Sequence, residues 1–279
     1  MCARCGSIVA ATLSRRLDGD KPIVNQFLLN PFFLDSPAPL LNRLAKQGWI
    51  VNRAAPDGDS QFARIGAIHA PLVQHVSAAV TAGRRPVVVG GDCLQPAAVL
   101  AGLRLAGVDP VILWLDAHGD FNTPETTPSG FIGGMPLAML VGRGDPWLRE
   151  NVGLEPVAER DVILSDARDL DPDEAVSLAV SQVAHVRSLA EIPTRVPSTR
   201  PVYVHFDTDI IDAAEAPAMM YPVAGGPSVT ELQAMAEALH RTHTVVAVSV
   251  TAWDLGRDND GRTERACLTV LDSLVRAAP

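Results

Sequence analysis

The segment Val111 to Pro136 reads VILWLDAHGDFNTPETTPSGFIGGMP, and the fold expected for the whole chain depends on it. Its first five residues, Val111 to Leu115, are apolar and branched enough for a short buried strand. Asp116, His118 and Asp120 follow at alternate positions. Because alternate residues of an extended chain share a face, two carboxylates and an imidazole point the same way. Ligands of parallel α/β sheets bind where strands end, so a site is expected here.

A second acidic cluster has the same relation to another strand. The sequence HFDTD, residues 205–209, follows the apolar segment Pro201 to Val204, and Asp212 comes shortly afterwards. Crowded carboxylates repel one another and lose hydration unless a cation lies between them. A solvated acidic loop with a hydrogen-bonded histidine is the alternative for one such cluster. Two clusters at two strand ends favour a metal site.

Composition and charge limit the partners of the chain. With 279 residues, 47% of them apolar and 20% charged, it is long enough for one large α/β domain. The formal net charge of −9 argues against nucleic acid and anionic membranes, which bind basic surfaces. No apolar run is long enough for a transmembrane helix, and no convincing secretion signal is present, so a cytoplasmic protein is expected.

Residues 1–20 are expected to form a flexible N-terminal segment, and residues 21–279 one domain. The pair Cys2 and Cys5 resembles half of a zinc site or a redox pair, but no second half with matching spacing follows. We therefore expect these two cysteines to lie in an untethered chain end.

Strand patterns alternate with helical patterns along the chain, which predicts βαβ units and a parallel sheet covered on both faces. Strands are predicted at Ile23–Leu29, Val87–Val89, from Val111, and at Val162–Leu164, Val202–Phe206 and Val245–Val250. Helices are predicted at Leu40–Gln47, Ala67–Ala82, Leu94–Ala106, Pro172–Val183, Ser228–His240 and Glu264–Arg276.

Three motifs in order along the chain resemble the ureohydrolase family of arginase and agmatinase. They are GGD at 90–92, DAHGD at 116–120 and FDTD at 206–209. The family pattern is G-G-D-H, then D-A-H-x-D, then S-x-D-x-D-x-x-D-P. The resemblance covers most of the chain and implies a single-domain, three-layer α/β/α fold with a mostly parallel sheet. It also implies a two-manganese site whose hydroxide attacks a guanidinium carbon and releases urea or an analogue.

The resemblance also implies a set of metal ligands. Asp116 and Asp207 would bridge two Mn²⁺ ions, and His118 and Asp209 would complete one half of the site. Oxygen ligands suit manganese, and paired metals supply hydroxide at neutral pH. The other half would be completed by the residues Asp120 and Cys93.

Cys93 stands where the family has a metal-binding histidine. A thiolate is a softer ligand, so this half-site is expected to bind manganese less well. It should favour zinc, iron or cobalt, or stay partly empty. The alternative is a small buried hydrophobic side chain beside a one-metal site.

Two further departures concern catalysis. The family's S-G-N-x-H-G reads SGFIGG at 129–134, so its proton-shuttling histidine is Gly133. The family's S-x-D-x-x-E-V reads SVTAWDL at 249–255, so the guanidinium-anchoring glutamate is Asp254, one methylene shorter. Asp254 and the metal-binding Asp120 are the predicted catalytic residues. A loop or helix-entry aspartate is the alternative for Asp254.

The family's groups for the amino-acid end of the substrate are retained at five positions. Neutral donors complement a carboxylate, and carboxylates complement an ammonium. Any single Thr or Asn in such a loop can also be a turn former. The predicted carboxylate-binding residues are Asn122, Thr127 and Ser129, and those near the α-amino group are Asp171 and Glu174.

These features predict a metal-dependent amidinohydrolase acting on an arginine-like amino acid. The cysteine at a metal position resembles the Nω-hydroxy-L-arginine hydrolases of antibiotic biosynthesis. One alternative is a catalytically silent paralogue that binds a ligand or an active partner subunit. A phosphohydrolase is a weaker alternative, because the loops lack an Arg or Lys clamp. The family forms trimers and hexamers, so a homo-oligomer is expected.

Overall fold

The structure is a computed structural model that describes residues 23–197 and 199–276. The predicted N-terminal segment, with Cys2 and Cys5, lies outside the described residues. The strands are β1 (Asn25–Asn30), β2 (Phe32–Phe33), β3 (Ser36–Pro37), β4 (Ile50–Val51), β5 (Arg85–Gly90), β6 (Val111–His118), β7 (Val162–Asp169), β8 (Ala184–Val186), β9 (Val202–Asp207) and β10 (Val245–Thr251).

The α-helices are α1 (Gln61–Thr81), α2 (Pro96–Leu105), α3 (Pro136–Leu140), α4 (Trp147–Glu150), α5 (Pro172–Ala179), α6 (Ile192–Arg195), α7 (Val229–Thr242) and α8 (Arg262–Val275). Short 3-10 helices lie at Pro39–Leu44, Ile132–Gly134, Glu159–Asp161, Leu189–Glu191 and Thr208–Ile210. No helix in the described ranges has both the length and the apolar character needed to cross a membrane.

Eight strands form one sheet in the order β4-β1-β5-β10-β9-β6-β7-β8. Every pair of neighbours in this sheet is parallel, whereas β2 and β3 form a separate antiparallel pair. Because side chains alternate along a strand, each face of the sheet has its own apolar core. Ile112, Trp114 and Tyr203 pack on the side of α1 and α2, and Leu113 and Val204 on the side of α7 and α8. The predicted three-layer α/β/α fold is confirmed.

Several element boundaries differ from the sequence predictions. Helix α1 begins at Gln61 rather than Ala67, because the Ser60 side chain caps it by accepting a hydrogen bond from the Ala63 N–H. The predicted helix at Leu40–Gln47 is a 3-10 helix that ends at Leu44. The edge strands β4 and β8 were not predicted, since two or three residues are too few for a detectable pattern.

Helices α1 and α2 approach closely at Gly102. A Cβ atom on Gly102 would lie 2.6 Å from Val76 Cβ and 2.7 Å from the Val73 carbonyl oxygen. This contact leaves no room for a side chain between the two helices.

We expect Gly102→Val to lower the free energy of unfolding by about 1–3 kcal/mol, the usual effect of overpacking a close-packed interior. Urea unfolding monitored by circular dichroism measures the change. The control is Leu105→Ala at the 59% exposed end of the same helix, which should change stability by less than about 0.5 kcal/mol. Equal stability of the Gly102 variant and wild type would contradict the close helix contact.

Candidate metal centre and substrate cavity

Carboxylates and a thiol meet at the carboxyl ends of adjacent central strands. Asp116 lies near the end of β6, Asp207 ends β9, and Cys93 follows β5. The Cys93 thiol donates a hydrogen bond to Asp207 Oδ2 at 2.8 Å, and Trp114 Nε1 donates to Asp116 Oδ2 at 3.0 Å. The Thr251 hydroxyl on β10 contacts Cys93 Sγ at 3.3 Å and donates to Asp207 Oδ2 at 3.4 Å. Three strands and one loop therefore converge on this point.

Asp116, His118 and Asp209 form one compact group of donors. Each offers a ligand atom, and the three atoms lie within 4.8 Å of one another. His118 Nδ1 is 3.1 Å from Asp209 Oδ2 and 3.5 Å from Asp116 Oδ1. The Ala117 N–H donates to Asp209 Oδ1 at 3.2 Å and fixes that carboxylate against β6. The structure thus brings together three of the predicted ligands of one half-site, whereas Asp207, predicted to bridge both metals, is not part of this group.

A second group combines predicted and unpredicted donors. Cys93, Asp116, His205 and Asp207 offer ligand atoms within 4.8 Å of one another, and all four residues are buried. Asp116 belongs to both groups, as expected for a bridging ligand. His205 was not predicted to contribute. Asp120 lines the same cavity but belongs to neither group.

Burial makes this concentration of negative charge costly. Burial raises the pKa of Asp207 and of Asp120 well above the usual carboxyl range, and the charges of neighbouring aspartates raise both pKa values further. Burial also raises the pKa of the Cys93 thiol, and the Asp207 charge adds to the effect. Burial disfavours a charged His118, but hydrogen bonds and charges from Asp116 and Asp209 outweigh this and raise its pKa to about 12. The cluster favours a positive charge at its centre.

Two buried polar atoms indicate that a metal ion fits. Asp120 Oδ2 and His205 Nε2 have no hydrogen-bond partner within the described part of the chain. Buried polar groups are normally satisfied, because an unpaired one costs about 1–3 kcal/mol. Carboxylates, imidazoles and a thiol are all metal ligands, so bound divalent ions would neutralise the carboxylates and could be ligated by these atoms.

Backbone strain is concentrated at the strand ends around the site. Asp120 has φ 49° and Ala252, directly after β10, has φ 64°. Residues with such angles are costly and persist where the surroundings hold them, often at functional sites. Arg168 supports the segment after β9, because its guanidinium donates to the carbonyls of Asp209 and Val223 at 3.1 and 2.8 Å.

A cavity of about 350 Å³ opens beside the metal donors. Its wall contains all five residues predicted to hold the amino-acid end of a substrate, namely Asn122, Thr127, Ser129, Asp171 and Glu174. Asn122 Nδ2 donates to Asp171 Oδ2 at 2.9 Å, and the hydroxyls of Thr127 and Ser129 are 3.4 Å apart.

Besides its predicted contact with the substrate, Glu174 has a structural role. Its two carboxylate oxygens accept the N–H groups of Phe121 and Asp171 at 2.8 and 3.1 Å, and only 3% of the residue is exposed. It therefore ties the metal-binding loop after β6 to the start of α5. Its contact with an α-amino group stays a prediction.

Asp254 is not brought to this cavity. Its carboxylate pairs with Arg257 Nε at 3.0 Å and accepts the Gly256 N–H at 2.9 Å. It lines a separate cavity of about 120 Å³, and Gly91 and Met220 line both cavities. To anchor a guanidinium in the main cavity, the Asp254 carboxylate would have to leave Arg257. Its catalytic role stays a prediction.

The site of the missing proton shuttle is filled by an aromatic ring. A Cβ atom on Gly133 would lie 2.3 Å from the Phe131 ring. Phe131 in turn lies 5.8 Å from the Tyr221 ring, measured between centroids. The family's asparagine and histidine are therefore replaced together by Phe131 and Gly133, and the ring takes the space of a side chain at position 133.

Sequence reasoning placed His205 in the second acidic cluster but did not assign it as a ligand, and it missed the roles of Thr251 and Arg168. His205 and Thr251 lie within apolar strand segments, which predict core positions rather than ligands. Arg168 reaches the carbonyls of a distant loop, and no spacing in the sequence encodes that contact. The pairing of β7, β6, β9 and β10 in space connects these residues with the predicted motifs.

Comparisons with known proteins agree with this geometry. A model of the arginase family matches residues 47–276. The arginase of Bacillus caldovelox is 30% identical over 238 residues, which cover 80% of this chain and 80% of that protein. The N(omega)-hydroxy-L-arginine amidinohydrolase of Streptomyces lavendulae is 29% identical over 194 residues, or 68% of each chain.

A solved structure is also similar. The crystal structure of the arginase from Bacillus subtilis superposes with a TM-score of 0.73 and 26% sequence identity. The superposition covers 90% of this chain and 98% of that one. The structural similarity therefore extends over nine tenths of the chain.

The buried carboxylates generate a prediction for Asp120→Asn, which keeps the side-chain shape and tolerates the positive φ. In the presence of a chelator, the variant should be more stable than wild type, because it removes a carboxyl group whose pKa is raised by burial and by the charges of Asp116 and Asp207. Its thermal midpoint should rise less than that of wild type when Mn²⁺ or Co²⁺ is added. Differential scanning calorimetry measures both effects.

The matched control is Asp57→Asn, at an exposed loop position, which should behave like wild type in chelator and in metal. An unchanged metal-dependent rise in the Asp120 variant would show that Asp120 is not a ligand.

Proposed function

Because the chain belongs to the arginase family of ureohydrolases, we propose that it is a metal-dependent amidinohydrolase. Its proposed reaction cleaves the guanidino or hydroxyguanidino C–N bond of an arginine-like amino acid, with Nω-hydroxy-L-arginine as the first candidate. The observation that carries the proposal is the convergence of buried aspartates and His118 beside a cavity lined by the five residues predicted to bind the amino-acid end of a substrate.

The metal-binding roles follow from the two donor groups. Asp116 is shared between them, His118 and Asp209 complete one half-site, and Cys93 and Asp207 belong to the other. A bound divalent pair supplies activated water at neutral pH and stabilises developing negative charge. The family resemblance implies two manganese ions, and the Cys93 thiolate shifts the metal preference of its half-site toward softer ions.

The amino-acid end of the substrate is proposed to lie away from the metals. The amide of Asn122 is held by Asp171 and by the Thr126 hydroxyl, which donates to Asn122 Oδ1 at 3.0 Å. Ser129 and Thr127 place hydroxyl donors at the cavity edge. Neutral donors suit a carboxylate, and the Asp171 carboxylate suits an ammonium. The volume of about 350 Å³ lies at the small end of the ligand-site range.

The leaving-group side favours a hydroxyguanidine. Gly133 offers no imidazole to protonate a departing amine, and Phe131 occupies the space above it. General acid catalysis contributes about 10²–10⁴-fold to a rate, so an unactivated guanidine would lose that contribution. A hydroxyguanidine is less basic and depends less on a proton shuttle. The similarity to an N(omega)-hydroxy-L-arginine amidinohydrolase of Streptomyces supports this choice.

A catalytically silent paralogue is the second candidate, and one contact favours it. The Asp254 carboxylate is held by Arg257, outside the main cavity, so the predicted guanidinium anchor is not in place. Such a protein would bind an amino acid or a partner subunit without turning over a guanidine. Metal content and turnover separate the two candidates.

Turnover is the direct test. With Mn²⁺ or Co²⁺ present, we expect Nω-hydroxy-L-arginine to be hydrolysed to ornithine and hydroxyurea faster than L-arginine is hydrolysed to urea. Agmatine, which has no carboxylate for Asn122, Thr127 and Ser129, should be a poor substrate. Mass spectrometry of the products measures all three reactions.

Asp116→Asn is the inactive control for this screen, because Asp116 belongs to both donor groups. Wild-type protein that binds metal but releases none of these products would favour the silent paralogue.

The carboxylate-binding role of Ser129 can be tested without turnover. Ser129→Ala should weaken ornithine binding roughly fivefold, the loss of about 1 kcal/mol for one hydrogen bond. Putrescine, the same diamine without a carboxylate, should bind wild type and variant equally. Isothermal titration calorimetry measures both ligands.

Thr123→Ala removes a hydroxyl from the same loop that points to Glu125 rather than into the cavity, so it serves as the matched control. Unchanged ornithine affinity in the Ser129 variant would remove Ser129 from the substrate site.

A further inference from the structure

We propose that His205 is a ligand of the metal half-site that contains Cys93, and that its imidazole replaces the one missing at position 93. The inference rests on the metal-dependent function proposed above. It assigns a ligand that the three sequence motifs do not contain, and it predicts a thiolate, imidazole and carboxylate donor set.

The position of His205 on β9 places it in the site. Residues 203, 205 and 207 share one face of the strand, so His205 lies one step inside Asp207. Ligand atoms of His205, Cys93, Asp116 and Asp207 lie within 4.8 Å of one another. Donors that bind one ion at about 2.0–2.3 Å are separated by at most about 4.6 Å, so small side-chain adjustments complete the site.

The hydrogen bonds of the His205 ring leave one nitrogen for a metal. Nδ1 is 2.9 Å from the Ser249 hydroxyl, which also contacts the Tyr203 hydroxyl at 2.7 Å. Nε2 has no hydrogen-bond partner among residues 23–197 and 199–276, and the residue is fully buried. We assign the proton to Nδ1, because a proton on Nε2 would be a buried, unpaired donor. The Nε2 lone pair is then free to bind a cation, and Ser249 fixes the ring as outer partners of ligating histidines do.

The ring is also held in place by packing. Its centroid lies 4.0 Å from that of Trp114, whose indole N–H donates to Asp116. Trp114 therefore positions both His205 and the shared carboxylate. A preorganised imidazole loses little side-chain entropy when it binds a metal.

The sequence supports an exchange between two positions. The family's S-x-D-x-D motif begins with serine, and here that position is His205. The family's G-G-D-H motif ends with histidine, and here that position is Cys93. Relative to the family pattern, a large histidine is replaced by the smaller Cys93, and a small serine is replaced by the larger His205. The volume and the imidazole are both retained.

A buried histidine with a purely structural role is the alternative. His69 is such a residue, because it is buried and its Nδ1 has no hydrogen-bond partner within the described ranges. His69 belongs to neither of the donor groups found among the described residues, whereas His205 does. The two histidines thus provide a matched comparison within one chain.

The test is metal stoichiometry measured by equilibrium dialysis and elemental analysis with Co²⁺. Wild type should bind about two ions per chain. His205→Asn retains a donor to Ser249 but lacks the Nε2 atom. It should lower the affinity of the Cys93 half-site by more than about tenfold, since even outer-sphere partners of metal ligands contribute about 10–100-fold. The ligand-field and thiolate charge-transfer absorption of bound cobalt should change with it.

A double variant tests the exchange directly. His205→Ser combined with Cys93→His restores the family's residues at both positions, and it should recover the second ion and favour Mn²⁺ over Co²⁺ relative to wild type. His69→Asn, the control for loss of a buried histidine, should bind both ions with wild-type affinity and spectrum.

The outcomes separate this inference from the proposed function. Two ions with unchanged affinity and cobalt spectrum in the His205→Asn protein would overturn the role of His205 and leave the amidinohydrolase proposal intact. Wild type that binds no divalent ion would overturn both. An equal loss in the His69 and His205 variants would show a structural effect and would also overturn the ligand role.

Discussion

The main constraint on this structure is that the sheet holds mutually repelling carboxylates together in a site that excludes water. Two unit charges about 4 Å apart repel by about 4 kcal/mol at the effective dielectric of a protein. A few such pairs compare with the whole stability of a domain, about 5–15 kcal/mol. Asp116, Asp207 and Asp209 are each at most 2% exposed, so water cannot screen them. A cation bound at the strand ends would neutralise this charge, and the surrounding fold positions the carboxylates for it.

The rest of the fold keeps these groups in place against that repulsion. The backbone N–H of Ala117 holds Asp209, Glu174 ties the loop after β6 to α5, and Arg168 draws the loop after β9 toward β7. Each contact joins two strand ends that are distant in sequence. The positive φ angles of Asp120 and Ala252 show where the backbone turns sharply to bring its side chains inward. Both strained residues line the cavity beside the metal donors.

The sequence predicted the fold class and most of the donor set because both have local signatures. The apolar run before Asp116 indicates a strand, the end of that strand and a ligand within one short segment. The apolar run before Asp207 does the same for a second strand. Sequence reasoning placed His205 in an acidic cluster without assigning it as a ligand, because a histidine inside an apolar strand has the same pattern as a core residue. It placed Asp254 by its spacing in a motif, but the pairing with Arg257 depends on how the loop after β10 folds. Glu174 shows that one carboxylate can match a substrate pattern and also cap a helix.

The departures from the family pattern occur in spatially matched pairs, and this favours a retained function. Random loss of a metal histidine would leave a cavity that costs stability. Here the imidazole absent at Cys93 is present at His205, across the same two carboxylates. Likewise the side chain absent at Gly133 is replaced in volume by Phe131. The first pair keeps a complete donor set with a softer character, and the second removes a proton donor while closing the cavity with an aromatic ring. Together the two replacements support the proposed amidinohydrolase, with a softer metal preference and a better leaving group, over the silent paralogue.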